Sequence, residues 1–352
     1  MITPSITLQE ILSQPSTWEV CLEFLQTQSE FRHFRERATT MEWLFIGCGT
    51  SFYLAQVAAA SFTAITGMRA RSLPASEVLL YPKLALLGSP QQVVPVLISR
   101  SGRTSEVLRA SRYFAEELGI DTLAVTCDGN ELQDLASWTL RLPVREQSTV
   151  MTGSFTSMLL AVQYLAAAIA DDGKSLATLD QLPTRGRRLI SQYSRVLSDF
   201  VARYCFHDYV FLGQGPFFGI ASEAALKVTE SSCSYAQVFH TMEFRHGPKS
   251  IVSSETLITF MLSEQGYAEQ VDVLEEVKSL GGTTIAVTAQ VDAHLSQSAD
   301  LVVEISNGAP EWTNASLSVL VGQLLGVYTA MRKGLDPDHP RNLSRVVLLN
   351  KS

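Results

Sequence analysis

Apolar residues follow two alternating patterns along this chain. Short, almost wholly apolar runs such as WLFIG and VVPVLI are separated by longer stretches in which apolar side chains recur at helical spacing. This alternation is typical of βαβ units, in which helices connect buried parallel strands. The longest apolar stretch, residues 155–170, contains a glutamine. It is shorter than the about 20 residues that a bilayer-spanning helix requires, so we predict a buried core helix there.

The same order of elements occurs twice. The segment DYVFLGQGPFFGIASEAALK aligns with EWLFIGCGTSFYLAQVAAAS, which pairs Phe211 with Phe45 and Gly215 with Gly49. Downstream, TLITFMLSEQG aligns with VVPVLISRSG at nearly the same offset. Because chance similarity rarely keeps its register over several segments, the pattern predicts a duplicated α/β domain with parallel sheets.

The apolar pattern stops after Asp171, where DDGKSLATLDQLPTRGRR is rich in charge, glycine and proline and predicts a domain boundary. We expect a helical extension over residues 1–40, a first domain over 41–185, a second over 195–340 and a tail over 341–352. The tail should place one apolar strand after its two prolines.

Composition narrows the possible partners and the compartment. A net charge of -8 gives no electrostatic attraction for nucleic acid or an anionic membrane, so neither is an expected partner. The five cysteines are scattered and form no CxxC pair, which favours reduced thiols and offers no metal site. The first residues also lack a basic segment followed by an apolar run. We therefore expect a cytoplasmic protein.

A turn rich in hydroxyl groups joins a predicted strand to a predicted helix. In VVPVLISRSGRTSE, Ser99, Ser101 and Thr104 surround Gly102. At the carboxyl edge of a parallel sheet, free backbone N–H groups and the helix dipole favour an anion, and glycine lets the backbone approach it closely. The turn therefore predicts a phosphate site. The alternative is that Ser101 or Thr104 only caps the helix.

A second turn of this kind, GCGTSF, places Ser51 after Gly49 and Thr50. A dinucleotide-binding fingerprint would need glycine where Phe52 stands, and neither turn is followed by the Gly-Lys-Ser/Thr of a nucleoside-triphosphate loop. Because the two turns follow neighbouring predicted strands, they are expected to hold one phosphoryl group together.

Four motifs carry a family resemblance: GCGTS, SRSGRTSE, ASEAALKVTE and EFRHGPKS. In this order they resemble the tandem form of the sugar isomerase (SIS) domain family. Within it, the chain is similar to the galactosamine-6-phosphate deaminase/ketose-aldose isomerase group and to the isomerase half of glucosamine-6-phosphate synthase. The resemblance runs from about residue 40 to the C-terminus. It implies two tandem flavodoxin-like αβα domains with parallel sheets, a sugar-phosphate substrate and a homodimer.

The resemblance also implies which residues contact the substrate. The phosphate-binding positions of the family fall on Ser51, Ser99, Arg100, Ser101 and Thr104. Arg100 replaces a glutamine common in the synthase, and its cation suits a dianionic ligand, although it could instead point to solvent. Further expected contacts are Gly49, Thr50, Gly102, Thr149 and Arg345. For the loop that contains Thr149, helix capping is the alternative.

Three residues are implied in the chemistry. Glu230 matches the catalytic base of the family, Lys227 an active-site lysine, and His246 the histidine that opens the sugar ring from the partner subunit. Without the resemblance, Lys227 and Glu230 would be read as a helix salt bridge, and His246 as a structural loop residue.

The tail departs from the synthase. PRNLSR places Arg345 where the synthase carries a lysine that forms a Schiff base, and a guanidinium cannot be that nucleophile. We therefore expect no amide-donor reaction. The predicted activity is isomerisation of a hexose or hexosamine 6-phosphate, with or without release of ammonia, and it needs no cofactor or metal. Two alternatives stay open, a fructosamine-type deglycase and a non-catalytic sugar-phosphate sensor.

Overall fold

The computed structural model describes residues 5–28, 41–86, 92–305 and 308–349. The chain divides into two compact units. We call them the first-sheet unit (Ser16–Glu146, Met151–Gln181 and Ser344–Ser352) and the second-sheet unit (Met1–Pro15, Gln147–Val150 and Leu182–Leu343). Helix α1 (Ile6–Gln26) contributes to both units, because the division falls beside its internal Pro15. Parts of the predicted extension and tail, residues 1–4, 29–40 and 350–352, lie outside the described residues.

The first-sheet unit is built from βα units, as the alternating apolar pattern predicts. Its strands are β1 (Glu42–Gly47), β2 (Ala70–Pro74), β3 (Val93–Ile98), β4 (Leu123–Thr126) and β5 (Trp138–Arg141). Its helices after α1 are α2 (Thr50–Thr66), α3 (Ala75–Leu80), α4 (Pro82–Ala85), α5 (Ser105–Arg112), α6 (Asn130–Leu135), α7 (Gly153–Ala170) and α8 (Gly173–Asp180). A π-helical turn, Tyr113–Glu117, extends α5.

The second-sheet unit repeats this order. Its strands are β6 (Asp208–Gly213), β7 (Tyr235–His240), β8 (Thr256–Met261), β9 (Thr283–Thr288) and β10 (Leu301–Glu304). Its longer helices are α9 (Leu182–Arg203), α10 (Pro216–Ser232), α11 (Tyr267–Ser279), α12 (Ala293–Ser298) and α13 (Ala315–Arg332). Short 3-10 turns cover Glu243–Arg245, Pro248–Ile251 and Glu311–Asn314.

Both sheets have the same topology. The strand orders are β2-β1-β3-β4-β5 and β7-β6-β8-β9-β10, and all neighbouring strands are parallel. The central strands β3 and β8 are buried along their whole length, as expected for a sheet covered by helices on both faces. The predicted fold class and the predicted duplication are therefore confirmed.

Two helices are long and apolar enough to cross a bilayer by length and composition, but both serve as core helices. Within the described fold, 83% of residues 153–170 and 89% of the 18-residue apolar window inside residues 311–332 are buried. Helix α13 approaches α10 closely, since a β-carbon on Gly322 would overlap Ala224. The predicted core helix over residues 155–170 is therefore confirmed.

Four strands escaped the sequence pattern, β2, β5, β7 and β10. No residue of β2 or β7 is fully buried. Because partly exposed strands need no continuous apolar run, the pattern that identifies buried strands does not detect them. The predicted tail strand is wrong. Residues 346–349 are irregular, and two hydrogen bonds join them to the start of α5. The amide of Ser105 donates to the carbonyl of Val347 at 3.4 Å, and the amide of Leu349 donates to the Ser105 hydroxyl at 3.0 Å.

Residues near the two chain ends meet in the second-sheet unit. The carboxylate of Asp338 accepts hydrogen bonds from the backbone amides of Ile6 and Thr7, both at 2.8 Å, and from the Ser5 hydroxyl at 2.7 Å. Amides at a helix start have no intrahelical acceptor, so the carboxylate caps α1. Burial opposes ionisation of Asp338, but these donors outweigh it and lower the pKa of its carboxyl group.

Candidate functional site

The hydroxyl turn follows β3 in the first-sheet unit and is held from several sides. The carbonyl of Arg100 accepts hydrogen bonds from the amides of Cys127 and Asp128 at 3.1 and 2.9 Å. The side chain of Asn130 donates to the carbonyl of Ser101 at 3.0 Å. Within the turn, the hydroxyls of Ser99 and Thr104 lie 3.1 Å apart. The loop after β4 thus supports the turn and keeps these hydroxyls together.

Thr104 lies at the N-cap of α5, but its side chain makes no capping hydrogen bond. The hydroxyl of Ser101 makes a bond within the turn, since it accepts from the amide of Arg103 at 3.2 Å. The capping alternative therefore fails for Thr104, and its hydroxyl is instead paired with Ser99.

Gly102 is required by the shape of this turn. Its φ of +62° lies in the left-handed region that side chains disfavour, and a β-carbon would overlap the carbonyl oxygen of Gly129. In the other turn, Gly49 lies in the same left-handed range of φ, with a φ of +55° directly before α2. Thr50 and Ser51 follow it and are 7% and 5% exposed. Because β1 and β3 are neighbouring parallel strands, both turns lie at the same edge of the sheet.

Arg100 turns away from solvent, so the solvent-pointing alternative is wrong. Its side chain is 4% exposed, and its Nη1 donates to Oε2 of Glu146 at 2.9 Å, where Glu146 is 3% exposed. Oε1 of Glu146 accepts from the amide and hydroxyl of Thr152 at 2.8 and 2.9 Å and from the amide of Ser154 at 3.2 Å. The Ser154 hydroxyl donates to Oε2. This network connects the hydroxyl turn to the start of α7.

Burial alone would raise the pKa of Glu146, but Arg100 and the hydrogen-bond donors outweigh it and lower that pKa from its usual 4.5. A carboxylate whose pKa is lowered by folding stabilises the fold above pH 4.5, and this contribution is lost as pH falls through the lower folded value. For Glu146→Gln we expect a loss of stability that is full at pH 7 and shrinks below pH 4.5. Urea unfolding across pH measures it.

The exposed Glu117 of the same unit offers the control, because Glu117→Gln should change stability little at any of these pH values. A stability deficit of Glu146→Gln that stays constant down to acid unfolding would contradict the assigned ionisation.

Arg345 lies beside the hydroxyl turn in the same unit. Its carbonyl accepts from Nη2 of Arg100 at 3.4 Å, and its own guanidinium is 3.6 Å from the carboxylate of Asp128. The structure thus places the guanidinium of Arg345 in an ion pair with Asp128. Thr149 is half-buried and belongs to the short segment 147–150, which clusters with the second-sheet unit rather than with this turn.

A buried charge cluster lies on α10 in the second-sheet unit. Nζ of Lys227 is 2.6 Å from Oε2 of Glu230 and 3.2 Å from Oε1 of Glu223. Lys227 and Glu223 are 1% and 0% exposed, whereas Glu230 is 17% exposed. Three- and four-residue spacings put the three side chains on one helix face. Glu230 is therefore the member of this cluster that meets solvent.

The ammonium of Lys227 is kept charged by this cluster. Burial would lower its pKa, but Glu223 and Glu230 outweigh burial and raise the pKa above its usual value. Helix α13 supports the cluster from behind, since Gly326 packs against the backbone of Lys227 too closely for a β-carbon. Glu223 was not predicted as a site residue, although its spacing from Lys227 was the available signal.

His246 lies after the short turn Glu243–Arg245 and its side chain is exposed. Its backbone amide donates to the carbonyl of Glu243 at 3.0 Å. Two flanking cations attach this segment to α11, because Arg245 and Lys249 lie 2.9 and 3.4 Å from the carboxylate of Glu276. The imidazole is thus presented to solvent on a segment fixed at both sides.

Comparison with known proteins adds to this geometry. A SIS domain model matches residues 42–168 and 204–331. Glutamine-fructose-6-phosphate aminotransferase (isomerizing) of Xylella fastidiosa is 29% identical over 317 residues, covering 86% of this chain and 51% of the relative. Its counterpart in Brucella abortus is 30% identical over 318 residues. The chain spans about half the length of these curated relatives.

Solved structures share the fold over almost the whole chain. Glucosamine-6-phosphate deaminase from Thermotoga maritima is 29% identical, has a TM-score of 0.81 and covers 98% of this chain and 100% of its own. Tagatose-6-phosphate ketose/aldose isomerase from Escherichia coli is 22% identical, with a TM-score of 0.85 over 97% of this chain and 98% of its own.

Proposed function

Because the chain belongs to the SIS domain family, we propose that it is a sugar-phosphate isomerase or deaminase acting on a hexose or hexosamine 6-phosphate. The names of the relatives support this class, since they describe an isomerizing aminotransferase of fructose 6-phosphate, a glucosamine-6-phosphate deaminase and a tagatose-6-phosphate isomerase. A homodimer that contributes His246 to the neighbouring subunit, and a cytoplasmic location, belong to the same proposal.

The pairing of Lys227 with Glu230 carries the proposal. A carboxylate that lies 2.6 Å from a buried ammonium is held in a fixed orientation, while its solvent-facing side is available to a substrate. A purely structural helix salt bridge would not need a fully buried lysine, which is costly to place. The cluster therefore suits a proton-transfer base.

In the proposed reaction, Glu230 removes the proton from C2 of the open-chain sugar and returns it to C1 through an enediol or enolamine. His246 moves the proton that opens the ring, because an imidazole can both donate and accept a proton. With a 2-amino aldose, the transfer converts the C2 amine to a C2 imine. Water then hydrolyses the imine to a ketone and ammonia.

The phosphoryl group is assigned to the hydroxyl turns of the first-sheet unit. Ser51, Ser99, Ser101 and Thr104 supply hydroxyl donors at the starts of α2 and α5, where the positive ends of the helix dipoles favour an anion. The resemblance also assigns Arg100 to the phosphate, but its guanidinium is buried against Glu146. We therefore propose that Arg100 positions the turn rather than contacts the phosphate.

Ser101→Ala should raise KM for glucosamine 6-phosphate about 10–100-fold, since a hydrogen bond to a charged group contributes about 1.5–3 kcal/mol. The value of kcat should change little, because the phosphate does not react. Steady-state kinetics measures both, with Ser191→Ala, an exposed serine on α9, as the control. An unchanged KM would remove Ser101 from the phosphate site.

The activity itself is tested by substrate profiling. The purified chain is incubated with glucosamine, galactosamine and tagatose 6-phosphates, and ammonia release and ketose formation are followed. Turnover of any of them supports the proposal. A fructosamine-type deglycase would instead release an amine from sugar-phosphate conjugates. A sensor would show a thermal shift with these ligands and no turnover, since ligands that bind only the folded state raise its apparent stability.

A further inference from the structure

A cavity of about 320 Å³ lies within the second-sheet unit, apart from the charge cluster on α10. Its walls come from the first turns of α9, from the end of β10 and from the start of α13. Leu189 and Leu317 give it an apolar wall, while two arginines on α9, Arg185 and Arg188, give it positive charge. Cavities of this size hold small organic ligands.

Two neutral side chains hold the guanidinium of Arg185 in place. Its guanidinium donates to the Thr313 hydroxyl at 3.3 Å and to the side-chain carbonyl of Asn314, both neutral acceptors. Its Nε is buried and has no hydrogen-bond partner among the described residues. Burial lowers the pKa of Arg185 to about 10, which reflects the cost of keeping this cation away from water.

The rest of the lining defines what would fit. Arg188 follows three residues later and is exposed, and Thr184 adds a hydroxyl group. Glu304 contributes one carboxylate, so the wall carries two guanidinium groups against one acid. The positive excess favours an anion, and the carboxylate favours a ligand that also has hydroxyl groups to donate.

We propose that this cavity, which we call the α9 cavity, is a second binding site for a small polyhydroxylated phosphate monoester. The phosphoryl oxygens accept from Arg185 and Arg188, whose planar forks match phosphate geometry. The ligand hydroxyls donate to Glu304. This site is separate from the phosphate assigned to the hydroxyl turns, and it does not depend on the catalytic proposal.

The experiment counts ligands by isothermal titration calorimetry with sorbitol 6-phosphate, which has no carbonyl group and cannot be isomerised. We expect two equivalents for each wild-type chain. The double variant Arg185→Met/Arg188→Met should keep one, bound at the turns. Ser99→Ala/Ser101→Ala should keep the other. Arg195→Met, an exposed arginine on the same helix, is the matched control and should keep both.

Further arms separate the outcomes. Arg188→Met alone, at an exposed position, should weaken the affinity of one equivalent at least 10-fold. This single variant provides the test if the double variant does not fold. Inorganic phosphate should compete for this equivalent, whereas sorbitol should not. An Arg185→Met/Arg188→Met variant that still binds two equivalents, or a wild-type chain that binds only one equivalent that the serine substitutions remove, overturns the α9 cavity. If the serine substitutions leave two equivalents, the phosphate assignment at the turns fails instead.

Discussion

Glu230→Gln is expected to lower kcat about 10²–10⁴-fold, the range that a positioned general base contributes. Glutamine keeps the size of the side chain but cannot accept the C2 proton. It also removes one of the two carboxylates that stabilise the buried ammonium of Lys227. Exchange of the C2 proton of the substrate with deuterated solvent, followed by NMR, measures the loss at the step where it occurs.

Ligand affinity distinguishes a lost base from a damaged fold. Sorbitol 6-phosphate should bind Glu230→Gln as it binds the wild type, because the phosphate is assigned to other residues. Glu269→Gln, at an exposed position on α11, should retain full activity. Wild-type exchange rates in Glu230→Gln would remove this residue from the mechanism and assign the proton transfer to another base.

Arg100→Met is expected to have the second large effect, on stability first and on KM second. The substitution leaves the carboxylate of Glu146 buried without its cation, and breaking such a pair costs about 3–5 kcal/mol. The hydroxyl turn also loses its attachment to the start of α7, so KM should rise. Urea unfolding and steady-state kinetics measure the two effects separately.

The double variant Arg100→Met/Glu146→Gln tests the positioning role. Removing both charges should restore much of the stability, since no unpaired ion remains. KM should stay raised, because the hydroxyl turn still lacks its contact with the start of α7. If Arg100 contacted the phosphate directly, Arg100→Met would weaken phosphate binding, and stability would change little. That outcome would return Arg100 to the phosphate-binding set.

The sequence predicted the parts of the fold that depend on local pattern. Strands β1, β3 and β4 are continuous apolar runs, and the glycines at 49 and 102 occupy the left-handed conformations that the turns require. Strand β7 was missed because it is partly exposed throughout and its residues do not form an apolar run. Pairing with β6 in the folded sheet determines this strand.

Partners distant in sequence could not be predicted in the same way. Glu146 lies 46 residues from Arg100, and Asp128 is more than 200 residues from Arg345. Local periodicity carries no information about such pairs. The three- and four-residue spacings of Lys227 on α10 were visible, but the burial of its ammonium follows from the packing of α13.

Each of the two compact units is built from several separate segments of the chain, and this limits how the protein can be divided. A cut between residues 181 and 182 separates the two sheets, yet it gives neither fragment a whole unit. The N-terminal fragment would lack the bonds from Val347 and Leu349 to Ser105, and the C-terminal fragment would lack the α1 residues that Asp338 caps. Each compact unit therefore includes a chain end that lies in the other half of the sequence. We expect that neither half of the duplication could be transplanted alone.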